Sequence, residues 1–124
     1  MRARTVVLVV VLALAGGLAA CGGGGSSSSS SSAGVAIKTF EFTPHKLTVK
    51  PGTTVTFTND DAILHTVTSG TRTGEAGNHP DGRFNLRLDG AGTKATFTFK
   101  TAGVYHYYCA IHPGAGMTGE IDVQ

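Results

Sequence analysis

The sequence contains no tryptophan, only two cysteines and no window in which apolar residues keep a helical period over three turns. It also has little excess charge, because the ten Lys and Arg include Arg2 and Arg4 of an N-terminal leader. Without those two, the number of basic residues is eight and equals the number of acidic residues. No basic cluster remains that could follow a phosphate backbone, so we expect no nucleic-acid partner. A chain of 124 residues leaves room for one domain.

The first twenty residues have the pattern of an export signal. Arg2 and Arg4 form the charged start, Val6 to Ala15 is the apolar run, and small residues close the segment. A single membrane-spanning helix is the alternative. It is disfavoured because the apolar run is shorter than the ~20 residues that cross a bilayer, and Gly16-Gly17 interrupts it. We therefore predict a signal peptide over residues 1–20.

The residues Leu18-Ala19-Ala20-Cys21 resemble the lipobox of bacterial lipoproteins, in which the cysteine is diacylated and becomes the new N-terminus. Lipidation of Cys21 would anchor the chain to the membrane, at the outer face of the cytoplasmic membrane or in the periplasm. An ordinary secreted protein with an incidental cysteine is the alternative. The tract from Gly22 to Ser32 has no apolar side chain to bury, and it predicts a flexible linker over residues 21–34.

The remaining residues, 35–124, have the pattern of an all-β domain. Short runs rich in β-branched and aromatic residues recur between Gly, Pro, Asn and Asp. The strands predicted from these runs are Val35 to Thr43, Lys46 to Lys50, Thr53 to Asn59, Leu64 to Ser69, Phe84 to Leu88, Thr93 to Lys100, Gly103 to Cys109 and Thr118 to Val123.

Alternation along these runs indicates how the strands pack. Val55 and Phe57 share one face of their strand, as do Phe97 and Phe99 of theirs. Seven or eight such strands in about ninety residues are typical of a two-sheet Greek-key β-sandwich. The polar, turn-forming stretch from Gly70 to Gly82 is predicted to be one long surface loop.

Cys109, His112 and Met117 lie at spacings of three and five, between the last two predicted strands. Thiolate and thioether are soft donors and imidazole is intermediate, so this set selects copper over hard cations. Zinc would not recruit the methionine. A further strong donor is needed, and His65, which starts a strand after a polar turn, supplies it best. We therefore predict one copper ion per chain.

The other histidines fit a metal site less well. His45 and His79 are predicted to face solvent in loops, and His106 is predicted to face outward because Cys109 on the same strand must face inward. Tyr105 is predicted to be a structural tyrosine at a corner of the sandwich.

The C-terminal half resembles the cupredoxins, the small blue copper proteins, and most closely their plastocyanin-like branch. The resemblance extends over Lys46 to Val123 and is most specific in its last piece, a Cys-x2-His-x4-Met pattern after a Gly-x-Tyr strand. The quoted pieces are Leu47-Thr48-Val49-Lys50-Pro51-Gly52, Val55-Thr56-Phe57-Thr58-Asn59, His65-Thr66-Val67 and Gly103 to Gly119.

The resemblance implies a ligand set and a function. His65, Cys109 and His112 would be equatorial copper ligands and Met117 the axial one, in a one-electron carrier that is not an enzyme. Plastocyanins usually have Pro before the first histidine and Asn after it, where this chain has Leu64 and Thr66, so the hydrogen bonding around the cysteine sulfur is left open.

The resemblance also implies where a partner would bind. A redox protein would dock briefly near His112, and the chain itself would be a monomer. Tyr108 would point away from the copper, as a second electron route or simply as a packed side chain. The apolar residues expected at the docking surface are Ile63, Leu64, Ala110, Ile111, Pro113, Ala115 and Gly116.

Three other functions remain possible from the sequence. A copper-delivery or resistance protein would hold Cu(I) for transfer, although no Met-rich or His-rich tract accompanies the site. A copper enzyme would need a second copper site with more histidines. A metal-free adhesive sandwich would make Cys109 incidental.

Overall fold

The computed structural model describes residues 31–74 and 77–124. Within these ranges the chain forms nine β-strands and one turn of 3-10 helix at Pro113–Ala115. The strands are β1 (Ser32–Lys38), β2 (Glu41–Thr43), β3 (Lys46–Val49), β4 (Thr53–Asn59), β5 (His65–Thr73), β6 (Gly77–Leu88), β7 (Lys94–Phe99), β8 (Gly103–Tyr108) and β9 (Thr118–Val123).

The strands build two mixed sheets. One has four strands in the order β2-β1-β4-β7, and the other has five in the order β3-β9-β8-β5-β6. β1 runs parallel to β4 and β3 runs parallel to β9, whereas the hairpin neighbours are antiparallel. The predicted all-β sandwich of two sheets is confirmed.

The core lies between the sheets, and alternation along strands such as β4 builds it. Val55 and Phe57 of β4 are fully buried while Thr54, Thr56 and Thr58 are partly exposed, as predicted. Tyr107 of β8 crosses to the other sheet, where its ring packs edge-on against Phe42 at 4.9 Å and Phe57 at 5.5 Å between centroids. Aromatic contacts of this geometry stabilise a core beyond the area they bury.

The predicted count of seven or eight strands is wrong because the first predicted strand is two strands. The chain turns back at Thr39 and Phe40, whose φ angles are 54° and 60°, and β2 then pairs antiparallel with β1. Neither residue is a usual turn former, so the reversal is not predictable from the residues at this turn. β1 also begins at Ser32, three residues before the predicted start.

The predicted loop from Gly70 to Gly82 is also wrong. β5 continues to Thr73 and β6 starts at Gly77, and the two pair along their length with a register shift between Thr68 and Gly70. Gly70 has a φ of 128°, and a Cβ at this position would clash with the carbonyl oxygen of His79. The glycine therefore permits a close strand contact rather than a loop.

The predicted signal peptide, Cys21 and most of the predicted linker lie outside the described residues. Within the ranges that the structure does describe, no helix has the length and apolar character needed to cross a membrane.

Tyr105 forms the predicted structural corner. Its hydroxyl donates a hydrogen bond to the carbonyl oxygen of Thr101 at 2.7 Å, four residues earlier, and its ring packs edge-on against Phe99. The hydroxyl of Tyr107, in contrast, is buried without a hydrogen-bond partner among the described residues.

Replacing Tyr105 by Phe should lower the free energy of unfolding by about 1 kcal/mol, because a hydrogen bond is lost and the ring is kept. Tyr107→Phe is the matched control, and it should leave stability unchanged or higher because it removes an unpaired buried hydroxyl. Urea denaturation measures both variants. Equal losses in both would contradict the assignment of the corner hydrogen bond.

Candidate metal centre

Three candidate ligands come from the segment that follows β8. Cys109 comes directly after the strand, His112 precedes the 3-10 turn, and Met117 lies just before β9. The segment is closed by a hydrogen bond from the Cys109 amide to the Met117 carbonyl oxygen at 3.0 Å. Gly116, with a φ of 62°, ends the turn in a conformation that glycine adopts without strain.

His65 reaches the same place from the start of β5, the strand beside β8 in the five-stranded sheet. The turn before it is organised by Asn59, whose side-chain amide donates to the carbonyl oxygens of Ile63 at 2.7 Å and Leu88 at 3.2 Å. These bonds satisfy polar groups at the closed end of the core and start β5 with His65 pointing inward. His65 is completely buried.

The structure brings the donor atoms of His65, Cys109 and His112 together. The Cys109 Sγ lies 3.8 Å from Nδ1 of His65 and 3.5 Å from Nδ1 of His112, and all three donor atoms lie within 4.8 Å of one another. Among the described residues this is the only such group of histidine, cysteine and acidic side chains. Met117 is buried, with 1% of its surface exposed.

The buried His65 is hydrogen-bonded to a carboxylate, that of Asp61. Asp61 Oδ2 accepts a hydrogen bond from Nε2 of His65 at 2.9 Å, and its two oxygens also accept the backbone amides of Thr39 at 2.8 Å and Phe40 at 3.1 Å. Burial alone would raise the pKa of Asp61. The hydrogen bonds from Phe40, Thr39 and His65 outweigh burial and hold the pKa below its usual value.

The described residues agree with a known family over nearly their whole length. A sequence model of copper binding proteins of the plastocyanin/azurin family matches residues 29–124. The chain belongs to this family. The resemblance to plastocyanin-like cupredoxins is therefore confirmed.

Individual plastocyanins are similar to the chain over about two thirds of its length. Plastocyanin of Scenedesmus fuscus is 38% identical over 90 residues, which cover 67% of this chain and 86% of that protein. Chloroplastic plastocyanin of Tetradesmus obliquus is 37% identical over 84 residues, which cover 67% of this chain and 58% of that protein. The match thus spans little more than half of the Tetradesmus protein.

Solved structures of cupredoxins share the fold. A purple cupredoxin from Nitrosopumilus maritimus superposes with a TM-score of 0.62 at 30% identity, covering 74% of this chain and 99% of that one. A Cu(I) form of an amicyanin variant superposes with a TM-score of 0.59 at 27% identity, covering 75% of this chain and 82% of that one.

The residues present fit the single copper ion that this family binds. A thiol and two imidazoles are donors that copper accepts readily. A first-row ion such as zinc lies about 2.0 to 2.3 Å from these donors, and an ion at that range fits between atoms spaced 3.5 and 3.8 Å apart. His112 is suited to act as a neutral ligand because burial, with a smaller contribution from nearby His65, lowers its pKa.

The structure shows the hydrogen bonding around the Cys109 sulfur, which the sequence leaves open. The Thr66 backbone amide donates to Cys109 Sγ at 3.4 Å, and the Thr66 hydroxyl accepts the Ala110 amide at 2.8 Å. Thr66, which stands where plastocyanins usually have Asn, thus ties the strand that carries His65 to the segment that carries Cys109. In this link the single oxygen of the Thr66 side chain is the acceptor for the Ala110 amide.

Sequence reasoning missed Phe40 at this site. Its ring packs edge-on against His65 at 5.6 Å and His112 at 5.2 Å between centroids, and the side chain is 40% exposed. The sequence does not predict this contact because it predicts a continuous strand through Phe40. With Ile111, which is next to His112 in the chain and 41% exposed, Phe40 leaves an apolar surface at His112.

Tyr108 is not open to solvent. It is 1% exposed, and the Arg72 guanidinium lies 6.0 Å from its ring centroid. Arg72 also donates to the Cys109 carbonyl oxygen at 2.8 Å, so the β5–β6 hairpin that the sequence presented as a loop covers this side of the ligand segment. The structure therefore places Tyr108 as a packed side chain, not as an exposed one.

The remaining histidines face solvent as predicted, although His79 lies in strand β6 and not in a loop. His45, His79 and His106 are all exposed, and none belongs to the metal-binding group. Their ring nitrogens make polar contacts with the side chains of Thr118, Thr73 and Glu120 respectively.

Replacing Thr66 by Val should remove the acceptor for the Ala110 amide while keeping the backbone bond to the sulfur. We expect stability to fall by about 1 kcal/mol and the Ala110 amide to exchange faster with solvent. Thr66→Ser, which retains the hydroxyl, should behave like the parent protein. Hydrogen exchange followed by NMR measures the effect, and unchanged exchange in the valine variant would contradict this role.

Proposed function

We propose that this protein is a one-electron carrier with a single type 1 copper site. The observation that carries the proposal is the buried Cys109 thiol, with the Nδ1 atoms of His65 and His112 directed at it from 3.8 and 3.5 Å. Two imidazoles and a thiolate with a weak axial thioether are the ligands of blue-copper electron-transfer sites.

In this proposal His65, Cys109 and His112 would hold the copper ion, and the Met117 thioether would be a fourth, weaker donor. The position of Met117 is supported by its burial and by the bond between its carbonyl and the Cys109 amide. Four protein donors leave no open position for a substrate, unlike a catalytic metal site. This argues for a carrier rather than an enzyme.

When bound, copper supplies a reversible couple between Cu(I) and Cu(II). The contribution of the protein is to hold the donors in place for both states. His65 and Cys109 are fully buried, and Asp61 and Thr66 each bond to one of them. Ligands held in this way move little when charge changes, which favours fast electron transfer.

The carrier is further proposed to be exported and tethered to the membrane. The support is the sequence alone: a signal-like leader, the lipobox ending at Cys21 and the Gly/Ser tract after it. Lipid chains on Cys21 would hold the domain at the outer face of the cytoplasmic membrane or in the periplasm.

A redox protein is proposed to dock, weakly and briefly, on the apolar surface around His112. Electron-transfer contacts are small, below ~1,200 Å² of buried surface. The balanced charge of the mature chain gives no reason to expect a strongly basic partner. The proposed contact residues are Ile63, Leu64, Ile111, Pro113 and Ala115.

Addition of Cu(II) to the copper-free protein should produce an intense visible absorption from thiolate-to-copper charge transfer, with one copper per chain. The paramagnetic spectrum should show a narrow copper hyperfine splitting. Cys109→Ser should lose both signals. Their absence from the parent protein would reject the proposed site, and fast Cu(I) transfer to an acceptor with slow electron self-exchange would indicate copper delivery instead.

Replacing Ile111 by Lys should slow electron self-exchange about tenfold at low salt, because two molecules that meet through this surface would each carry the new charge. Added salt should restore the rate. Val104→Lys, at an exposed apolar position near the other end of β8, adds the same charge as a control. NMR line broadening in mixed Cu(I) and Cu(II) samples gives the rates, and equal effects of the two variants would contradict docking near His112.

A further inference from the structure

We propose that Asp61 is a positioning residue for His65, selecting the histidine tautomer that can bind copper and favouring the oxidised ion through its charge. The inference rests on the proposed copper function and goes beyond it by assigning a role to a residue outside the ligand set. Its basis is the hydrogen bond from Nε2 of His65 to Asp61 Oδ2, 2.9 Å long.

The first step concerns the proton on His65. A neutral imidazole carries one N–H, and an ionised carboxylate can only accept. The hydrogen bond to Asp61 therefore requires the proton on Nε2, which leaves the Nδ1 lone pair free. Nδ1 is the atom that faces Cys109 Sγ at 3.8 Å, so the carboxylate leaves the correct nitrogen available for metal.

The second step concerns how firmly the carboxylate is held. Its oxygens also accept the amides of Thr39 and Phe40, and the Asp61 amide itself donates to Asn59 Oδ1 at 2.9 Å. The Asp61 side chain is only 17% exposed. A carboxylate held by two backbone donors can in turn fix the ring plane of the histidine.

The third step concerns why the residue is an acid and not an amide. Three N–H donors converge on Asp61, from His65, Thr39 and Phe40. An asparagine offers a single acceptor oxygen, so at least one donor would face its NH2 group. The negative charge lies one imidazole away from the metal position and favours the more highly charged ion.

The two histidines differ in this respect. In the part of the chain that the structure describes, no carboxylate forms a hydrogen bond with His112, whose recorded bond is to Cys109 Sγ. The carboxylate therefore influences the copper through the buried His65, while the partly exposed His112 remains available for contact with a partner.

The tautomer is tested on the copper-free parent protein by ¹⁵N NMR of the histidine ring nitrogens. We expect the proton of His65 on Nε2, with Nδ1 unprotonated. A proton on Nδ1 would overturn the proposal. This measurement needs no copper and no variant, so it decides the matter even if Asp61→Asn fails to fold.

The electrostatic role is tested with Asp61→Asn, Asp61→Glu and the control Asp60→Asn, which removes an exposed neighbouring carboxylate. For Asp61→Asn we expect Cu(II) affinity to fall about tenfold more than Cu(I) affinity. That ratio corresponds to a rise in reduction potential of about 59 mV for a one-electron couple. Asp60→Asn should change the potential much less, and Asp61→Glu, which keeps the charge, should restore most of the parent value.

Equal potentials in the parent protein and in Asp61→Asn, or equal shifts in the Asn variants at positions 60 and 61, would overturn the role. Failure of the parent protein to form a blue site would instead reject the proposed function. Voltammetry and competition with Cu(I) and Cu(II) chelators provide the potentials and affinities.

Discussion

Antiparallel pairing of β5 with β8 is the constraint on which the metal centre depends. It sets Thr68 opposite Tyr108 and Ser69 opposite Tyr107, so that the start of β5 and the end of β8 meet at one end of the sandwich. Beyond Thr68 the backbone ladder stops. There the Thr66 amide turns to the Cys109 sulfur and the Ala110 amide to the Thr66 hydroxyl. The site thus lies where hydrogen bonds between the backbones of β5 and β8 give way to hydrogen bonds between backbone amides and side chains.

This arrangement separates the surroundings of the ligand segment into two sides of different character. Phe40 packs against His112 and Ile111 precedes it in the chain, and both remain substantially exposed. On the other side, Arg72 bonds to the Cys109 carbonyl and lies over Tyr108. A weakly binding partner gains more from the apolar side, since little polar surface has to be desolvated there.

Alternation along the short strands predicted the sandwich. The soft donors Cys109 and Met117 around His112 predicted a copper site, and the need for a further strong donor pointed to His65. The sequence did not predict the reversal at Thr39 and Phe40, since no Gly, Pro, Asn or Asp marks it. The contact of Phe40 with His65 was missed for the same reason. The hairpin after Gly70 was missed for the opposite reason: its glycines look like loop residues, although Gly70 serves a close approach between strands.

The parallel pairing of β1 with β4 also decides which way the domain points. Ser32 lies opposite Thr54 and Ile37 opposite Asn59, so β1 runs from the far end of the sandwich toward the ligands, over about 20 Å. Any attachment through the residues before Ser32 therefore pulls on the end that is remote from His112. A domain attached in this way would present His112 to the solvent, on the side away from the surface to which its N-terminal segment is bound.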